Sequence, residues 1–154
     1  MKNIKDICVI VQARLGSKRI PNKMLKPFTK TTLVEILFEK LKKSTLIPLD
    51  NIYFSAYEQE LKDIAKKHKI NIFSRSKKSS QSEGHILSEL YEWHDKLPYK
   101  YVILISACNP LLKIKTIDNF IEKFIKTKKE GAFAVFLKKT YYWDKEGKAI
   151  TNWG

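Results

Sequence analysis

The sequence predicts an α/β fold, a mostly parallel sheet with helices on both faces. Apolar runs of strand length alternate with segments whose apolar residues recur at helical spacing, which is the pattern of successive βα units. Residues 7–11 and 101–105 are continuous apolar runs, as expected for strands buried on both faces of a parallel sheet. A chain of 154 residues with 44% hydrophobic content suits one core, so residues 1–154 are interpreted as a single domain.

The predicted elements follow one another without an internal repeat. Strands are expected at residues 7–11, 51–56, 70–75, 101–105 and 132–137. Helices are expected at residues 33–43, 58–68, 83–93 and 115–127. Thr32 followed by Glu35 has the pattern of a capping box at the start of the first of these helices. Residues 76–81 are polar and lack apolar periodicity, so a loop is expected there.

The segment after the first strand has the composition of a phosphate-binding loop. Residues 12–23, QARLGSKRIPNK, place four cations and one glycine beyond the carboxyl end of a central strand, the edge at which open α/β sheets bind ligands. Gly16 can adopt φ > 0 and bring backbone N–H groups close to a phosphate. Arg14 offers a bidentate fork and Lys23 a compact point charge. The segment therefore predicts a polyphosphate-binding loop.

This loop is neither a Walker loop nor a dinucleotide-binding loop, because G-x-x-x-x-G-K-[ST] is absent and Gly16 is its only glycine. An apolar strand followed by A-R-x-G-S-K-R-x-P-x-K instead resembles the start of the sugar cytidylyltransferases, which make CMP-activated sialic, pseudaminic and legionaminic acids. The resemblance implies a Rossmann-like fold of the nucleotide-diphospho-sugar transferase type, CTP and an acidic sugar as substrates, Mg²⁺ as cofactor, and a homodimer.

The resemblance also implies roles for individual residues. Arg14 and Lys23 match the family's triphosphate-holding residues and are assigned to catalysis, whereas the role of Arg19 stays open. The implied nucleotide-binding residues are Gln12, Ala13, Arg14, Gly16, Ser17, Lys23, Arg75 and Ala107. The segment 106–111 matches a family segment that ends in a proline-leucine pair, which makes Asn109 and Pro110 candidates for binding the sugar. No metal ligand is identified.

Two departures from the family pattern affect this reading. Cys108 stands where several relatives carry a metal-binding aspartate, and a thiol is a poor ligand for Mg²⁺. The sialic-acid branch lacks a carboxylate at that position, so Cys108 favours that branch. Family members also continue beyond the point that matches residues 152–154, through a subunit-exchange segment and a metal-binding carboxylate pair. We therefore expect the domain to be incomplete at its C-terminus, and to bind CTP with slow or no turnover.

The net charge of +14 leaves other classes of function to consider. Only Arg14, Arg19 and Arg75 are arginine among the 30 basic residues, and no nucleic-acid-binding motif is present, so neither nucleic acid nor a membrane is predicted as a partner. Two cysteines cannot build a disulfide framework, which fits a reduced cytoplasm. The alternatives are an inactive or truncated nucleotide-binding or assembly protein of the same fold and, less favoured, a basic nucleic-acid-binding protein. The aromatic residues 141–143 favour a dimer interface over a sugar pocket.

Overall fold

The computed structural model describes residues 2–81, 86–135 and 140–151. The strands in these ranges form one four-stranded parallel sheet in the spatial order β3-β2-β1-β4. The strands are β1 (Ile7–Gln12), β2 (Ile52–Ala56), β3 (Asn71–Ser74) and β4 (Tyr101–Ile105). The helices are α1 (Leu33–Leu41), α2 (Gln59–Lys67), α3 (Lys77–Ser80), α4 (Leu87–Leu90) and α5 (Ile114–Lys126). The predicted α/β architecture is confirmed.

Strand β1 is the centre of the sheet, as its apolar sequence predicts. Its residues from Ile7 to Val11 are buried, and it pairs with β2 on one side and β4 on the other. Gln12 lies opposite Ser55 and Val11 lies opposite Ile105 in the parallel register. Because the strands are parallel and nearly level, their carboxyl ends meet along one edge of the sheet, where the loops that follow β1, β2, β3 and β4 lie.

The apolar side chains pack into two layers, one on each face of the sheet. The larger layer joins the sheet to α1, α2 and α5, and it includes an edge-to-face contact between Phe38 and Phe54 with ring centroids 5.0 Å apart. The smaller layer joins Cys8 and Ile10 to Trp93, in the segment that follows α4. Covering both faces of β1 excludes water from it, and burial of this apolar area is the main stabilising contribution to the fold.

Helix α1 begins at the predicted capping box. The Glu35 N–H donates to Thr32 Oγ1 at 3.3 Å, and the Thr32 N–H donates to Glu35 Oε2 at 3.1 Å. Two N–H groups that a helix start leaves without intrahelical partners are thereby bonded. Within the described ranges, no helix is both long and apolar enough to cross a bilayer.

Three predicted segments differ from the structure. The expected loop at 76–81 contains the short helix α3, because the Ser76 hydroxyl caps it by accepting from the Ser79 N–H at 3.1 Å. The helix expected at 83–93 is limited to α4, since Tyr91 leaves the helical region (φ −112°, ψ 45°) and Trp93 packs on the sheet; residues 83–85 lie outside the described ranges.

The third difference concerns the strand expected at 132–137. Residues 132–135 form no strand, and Phe133 and Val135 are 85% and 74% exposed, so no strand of the described residues covers them. Residues 136 and 137 lie outside the described part of the chain. An alternating apolar segment becomes a strand only when its backbone pairs with a neighbouring strand, and residues 132–135 pair with none of the described strands.

Candidate functional site

The loop after β1 is attached to the end of the neighbouring strand β2. The Ala13 N–H donates to the Ser55 carbonyl at 3.2 Å, and the Leu15 N–H donates to Glu58 Oε1 at 2.9 Å. The Ser17 N–H donates to the Leu15 carbonyl at 2.7 Å, which makes Gly16 the centre of a tight three-residue turn. The first half of the predicted polyphosphate loop therefore has a defined conformation at the carboxyl edge.

The second half of the loop is held by packing. Met24 is buried in the larger apolar layer, and the Leu25 N–H donates to the Asn22 carbonyl at 2.9 Å. The left-handed residue of this segment is Asn22 (φ 53°), whereas φ of Gly16 is outside that region. Asparagine tolerates this conformation better than most residues. Lys23, next to the buried Met24, is half-buried, while Arg19 is exposed.

The space around Gly16 says more about its role than its φ angle does. A Cβ built on Gly16 meets no heavy atom within 4 Å. The fold itself therefore does not require glycine at this position, either for conformation or for space. Close approach of a ligand to the backbone would explain why a glycine stands here.

Arg14 reaches from the loop after β1 to the segment that follows β3. Its Nη1 donates to the Gln81 carbonyl at 2.5 Å, at the end of the segment that carries α3. The side chain is partly exposed. Arg14 thus bridges the loop after β1 and the segment after β3, and its guanidinium lies where a ligand at the carboxyl edge would meet it.

Arg75 follows β3, as predicted, and is buried. Its side chain is only 4% exposed, its Nε donates to Ser79 Oγ at 3.0 Å, and its Nη2 has no hydrogen-bond partner among the described residues. Burial lowers the pKa of the Arg75 guanidinium, while the carboxylates of Glu92 and Glu58 raise it and the cation of Arg14 lowers it. Arg75 therefore shares one electrostatic environment with the loop after β1.

The side chain of Gln12 is bonded within the protein. Its Nε2 donates to the Leu90 carbonyl at 3.2 Å, and its Oε1 accepts from the Trp93 indole N–H at 2.9 Å. The Leu90 carbonyl also accepts from Ser79 Oγ at 3.3 Å, which connects this network to Arg75. Sequence reasoning missed these contacts, and the only local signal for them was a tryptophan close to the end of a short amphipathic segment.

The segment after β4 lies at the same edge, next to β1. Ala107 is buried, the Cys108 N–H donates to Ser106 Oγ at 3.2 Å, and Asn109 is exposed. The Pro110 carbonyl accepts a hydrogen bond from Lys40 Nζ. Asn109 is therefore accessible to a ligand, whereas Ala107 could contact one through its backbone.

The described residues contain no cluster of three or more metal-binding side chains. Within 2–81, 86–135 and 140–151, no three or more His, Cys, Asp or Glu side chains form a group that could hold a metal ion. Mg²⁺ binds through several oxygen ligands. Glu58 is a carboxylate at the edge, but one of its oxygens is bonded to Leu15 and Arg75 lies nearby, so its surroundings do not suit a dication.

Comparison with known proteins agrees with this geometry. The spore coat polysaccharide biosynthesis protein SpsF of Bacillus subtilis is 27% identical over 121 residues, which cover 77% of this chain and 50% of that protein. Pseudaminic acid cytidylyltransferase of Campylobacter jejuni is 29% identical over 138 residues, which cover 85% of this chain and 58% of that protein. The chain thus spans little more than half the length of these curated relatives.

A solved structure and a family model complete the comparison. The structure of a cytidylyltransferase from Leptospira borgpetersenii matches with a TM-score of 0.65 at 23% identity, covering 80% of this chain and 50% of that chain. This likeness confirms the predicted nucleotidyltransferase type of α/β fold. A family model described as cytidylyltransferase matches residues 8–152, which include the loop after β1, Arg75 and the segment after β4. The chain therefore belongs to the cytidylyltransferase family.

Proposed function

We propose that the protein transfers CMP from CTP to the anomeric hydroxyl of an acidic sugar of the sialic, pseudaminic or legionaminic acid type, and releases pyrophosphate. The observation that carries this proposal is the loop after β1, in which Arg14 and Lys23 lie on a backbone attached to β2 in a chain of the cytidylyltransferase family. We place the reaction in the cytoplasm, in the biosynthesis of surface glycans.

The names of the relatives support the choice of substrate. Pseudaminic acid cytidylyltransferase, by its name, acts on an acidic sugar, and SpsF is named for spore coat polysaccharide biosynthesis. Both relatives match this chain over more than three quarters of its residues. By analogy with these relatives, we propose that the acceptor is an acidic sugar and that the product is used to build a surface glycan.

The proposed reaction requires positioning and charge neutralisation more than covalent chemistry from the protein. The anomeric oxygen attacks the α-phosphorus in line and forms a new P–O bond, while the bond from the α-phosphorus to the bridging oxygen breaks and its electron pair leaves with pyrophosphate; the hydroxyl proton passes to water. Arg14 and Lys23 neutralise the phosphate charge, which grows on the departing pyrophosphate. Cations at the sheet edge would act without reorganisation at the moment of reaction.

The other proposed contacts lie around these two cations. The loop backbone at Ala13, Gly16 and Ser17 would surround the phosphates, and Asn109 and Pro110 would contact the sugar. The remaining nucleotide contacts are assigned to Gln12, Arg75 and Ala107. Of these, Arg75 has one buried guanidinium nitrogen without a protein hydrogen-bond partner in the described ranges, which is compatible with a ligand contact after a small rearrangement.

Mg²⁺ is part of the proposal as the ion that accompanies CTP. When bound, it would neutralise phosphate charge. We assign it no ligand in this chain, because the described residues do not form a suitable group of oxygen donors.

A homodimer is also proposed, through the aromatic surface formed by residues 141–143. Tyr141, Tyr142 and Trp143 are 54%, 62% and 54% exposed, and Trp143 forms an antiparallel bridge with Ala149. Exposed clustered aromatic residues are typical of interfaces. Light scattering at several concentrations should give a dimer, and a Trp143→Lys variant should be monomeric; a monomer at all concentrations would contradict the proposal.

Thermal unfolding tests nucleotide binding directly. CTP with Mg²⁺ should raise the unfolding midpoint more than ATP or GTP, since a ligand at roughly a hundred times its Kd adds about 2.7 kcal/mol of stability. Pyrophosphate release with CTP and a panel of acidic sugars tests transfer. Stabilisation without release for any sugar would favour the alternative, a nucleotide-binding protein of this fold without catalysis. An unchanged midpoint at millimolar CTP would contradict the proposed function.

A further inference from the structure

Glu58 lies at an N-cap position but does not cap its helix. It directly precedes α2, with extended backbone dihedrals (φ −70°, ψ 138°), and its side chain makes no capping hydrogen bond. Capping side chains ordinarily accept from N–H groups of the first turn. The carboxylate of Glu58 instead accepts from the Leu15 N–H at 2.9 Å, 43 positions away in the sequence. This side chain serves the loop after β1 rather than the helix that it precedes.

Two hydrogen bonds attach the loop on either side of Arg14. The Ala13 N–H donates to the Ser55 carbonyl at 3.2 Å, and the Leu15 N–H donates to Glu58. The Ala13 attachment continues the backbone pairing of β1 with β2. The Leu15 attachment depends on a side chain alone, so its geometry is set by residue 58.

Glu58 is half-buried, and its carboxylate lies among charged groups. Its second oxygen, Oε2, is buried without a hydrogen-bond partner among the described residues, and so is Nη2 of Arg75. Glu58 and Arg75 interact electrostatically, with Arg14 and Glu92 also contributing charge to this site. The carboxylate is therefore oriented toward the loop, with one oxygen bonded to the Leu15 N–H and the other enclosed by protein.

We propose that Glu58 is a positioning residue for the triphosphate-binding loop, which it holds through the Leu15 N–H in the conformation that presents Arg14 and the loop amides to CTP. This inference rests on the proposed function for the identity of the ligand, CTP. That Glu58 holds the loop in the absence of a ligand does not depend on the proposed function. Glu58 touches neither the phosphates nor the reacting atoms in this assignment, and it acts through the backbone of residues 13–17.

Three variants distinguish the effect of the hydrogen bond from the effect of the charge and from any effect on helix α2. Glu58→Ala removes the acceptor and the charge, whereas Glu58→Gln keeps an oxygen that can accept from Leu15. Glu60→Ala is the matched control, because Glu60 is an exposed carboxylate in the first turn of the same helix. Each variant is compared with the wild-type chain by thermal unfolding, to show that it is folded.

The test measures amide hydrogen exchange at Leu15 by NMR without nucleotide, and CTP affinity by calorimetry. Glu58→Ala should raise the Leu15 exchange rate at least about tenfold and weaken CTP binding about tenfold to a hundredfold, the range expected for a lost charge-assisted hydrogen bond. Glu58→Gln should keep most of the Leu15 protection and lose less affinity. Glu60→Ala should match the wild type in both measurements.

Each other outcome overturns a stated part of the inference. Wild-type exchange and affinity in Glu58→Ala would remove the positioning role. Loss of Leu15 protection in a folded Glu58→Gln variant would show that the hydrogen bond is not what holds the loop. If the wild-type chain does not bind CTP, the proposed function fails. The role of Glu58 in holding the loop is tested separately, by the exchange rate at Leu15. An unchanged rate in Glu58→Ala would contradict that role.

Discussion

The indole N–H of Trp93 donates to Oε1 of Gln12 at 2.9 Å, which joins the last residue of β1 to the segment that follows α4. The same Gln12 amide donates to the Leu90 carbonyl at 3.2 Å. Trp93 is 7% exposed and packs with Cys8 and Ile10 on the second face of the sheet. This pair therefore closes that face and fixes the residue from which the phosphate-binding loop departs.

Replacing Gln12 should destabilise the fold. Gln12→Ala leaves the indole N–H of the buried Trp93 without its partner, whereas the Leu90 carbonyl keeps the Ser79 hydroxyl, and an unpaired buried group costs about 1–3 kcal/mol. Urea unfolding followed by tryptophan fluorescence measures the free energy. The control is Gln59→Ala, since Gln59 bonds only the exposed Asp63 on the surface of α2. Equal stability of the two variants would contradict the structural role of Gln12.

Gly16→Ala should leave stability unchanged and weaken CTP binding. The added Cβ meets nothing within 4 Å and φ of Gly16 is outside the left-handed region, so the fold can accept alanine. A triphosphate close to the loop backbone would clash with it. Gly131→Ala is the control, because its Cβ also meets nothing within 4 Å. Equal CTP affinity of both variants by calorimetry would show that the ligand does not approach Gly16 closely.

Arg14→Ala and Lys23→Ala should weaken CTP binding much more than Lys66→Ala or Lys126→Ala. Hydrogen bonds to charged groups are worth about 1.5–3 kcal/mol, whereas exposed ion pairs contribute about 0–1 kcal/mol. The Lys66 and Lys126 side chains are 65% and 62% exposed, and each pairs with a carboxylate of its own helix. Calorimetric titration provides the comparison. Similar CTP affinities of all four variants would show that the loop after β1 is not a specific binding site for the triphosphate.

The two cysteines should differ sharply in reactivity. Burial raises the pKa of the Cys8 thiol to about 12, so it stays protonated and inaccessible at neutral pH, while Cys108 is exposed. A thiol reagent should label Cys108 rapidly and Cys8 only after unfolding, as read by peptide mass spectrometry. Because Cys108 lies in the segment after β4, CTP with an acidic sugar should slow its labelling. Labelling of Cys8 in the folded protein would contradict the buried position.

Acid should destabilise the start of α1 through Glu35. Hydrogen bonds from the Thr31 hydroxyl first, then from His68 and Thr32, lower the pKa of Glu35 from 4.5 to about 2, against desolvation that raises it. Because the folded pKa is the lower one, this stabilisation is complete above pH 4.5 and is lost as the pH falls towards 2. Unfolding free energies should decline by on the order of 1–3 kcal/mol over that interval.

The Glu35→Gln variant provides the control for this pH dependence. It removes the titrating carboxylate, so its stability should vary less between pH 4.5 and about 2, the unfolded and folded pKa values of Glu35. Other carboxylates will still titrate, and the difference between the two curves isolates Glu35. Parallel curves for the two proteins would contradict the assignment.

Much of the fold could be predicted because its signals are local. The apolar run at residues 7–11 identifies a strand buried on both faces, and Thr32 with Glu35 identifies a helix start, because both patterns act over a few residues. One error is a local helix cap in a polar segment, and another is an apolar segment that no strand pairs with. Ser76 and Ser79 build α3 in a polar segment, and the alternating residues 132–135 meet no strand within the described part of the chain.

The sequence by itself determined the alternation of the four strands with α1, α2 and α5, the basic loop after the central strand and the position of Arg75 at a strand end, since periodicity and composition carry that information. Only the tertiary structure decided which side chains hold the loop. Glu58 reaches Leu15 across 43 positions and Trp93 reaches Gln12 across 81. Such pairs depend on the spatial order β3-β2-β1-β4, which brings distant strand ends to one edge and which no local pattern encodes.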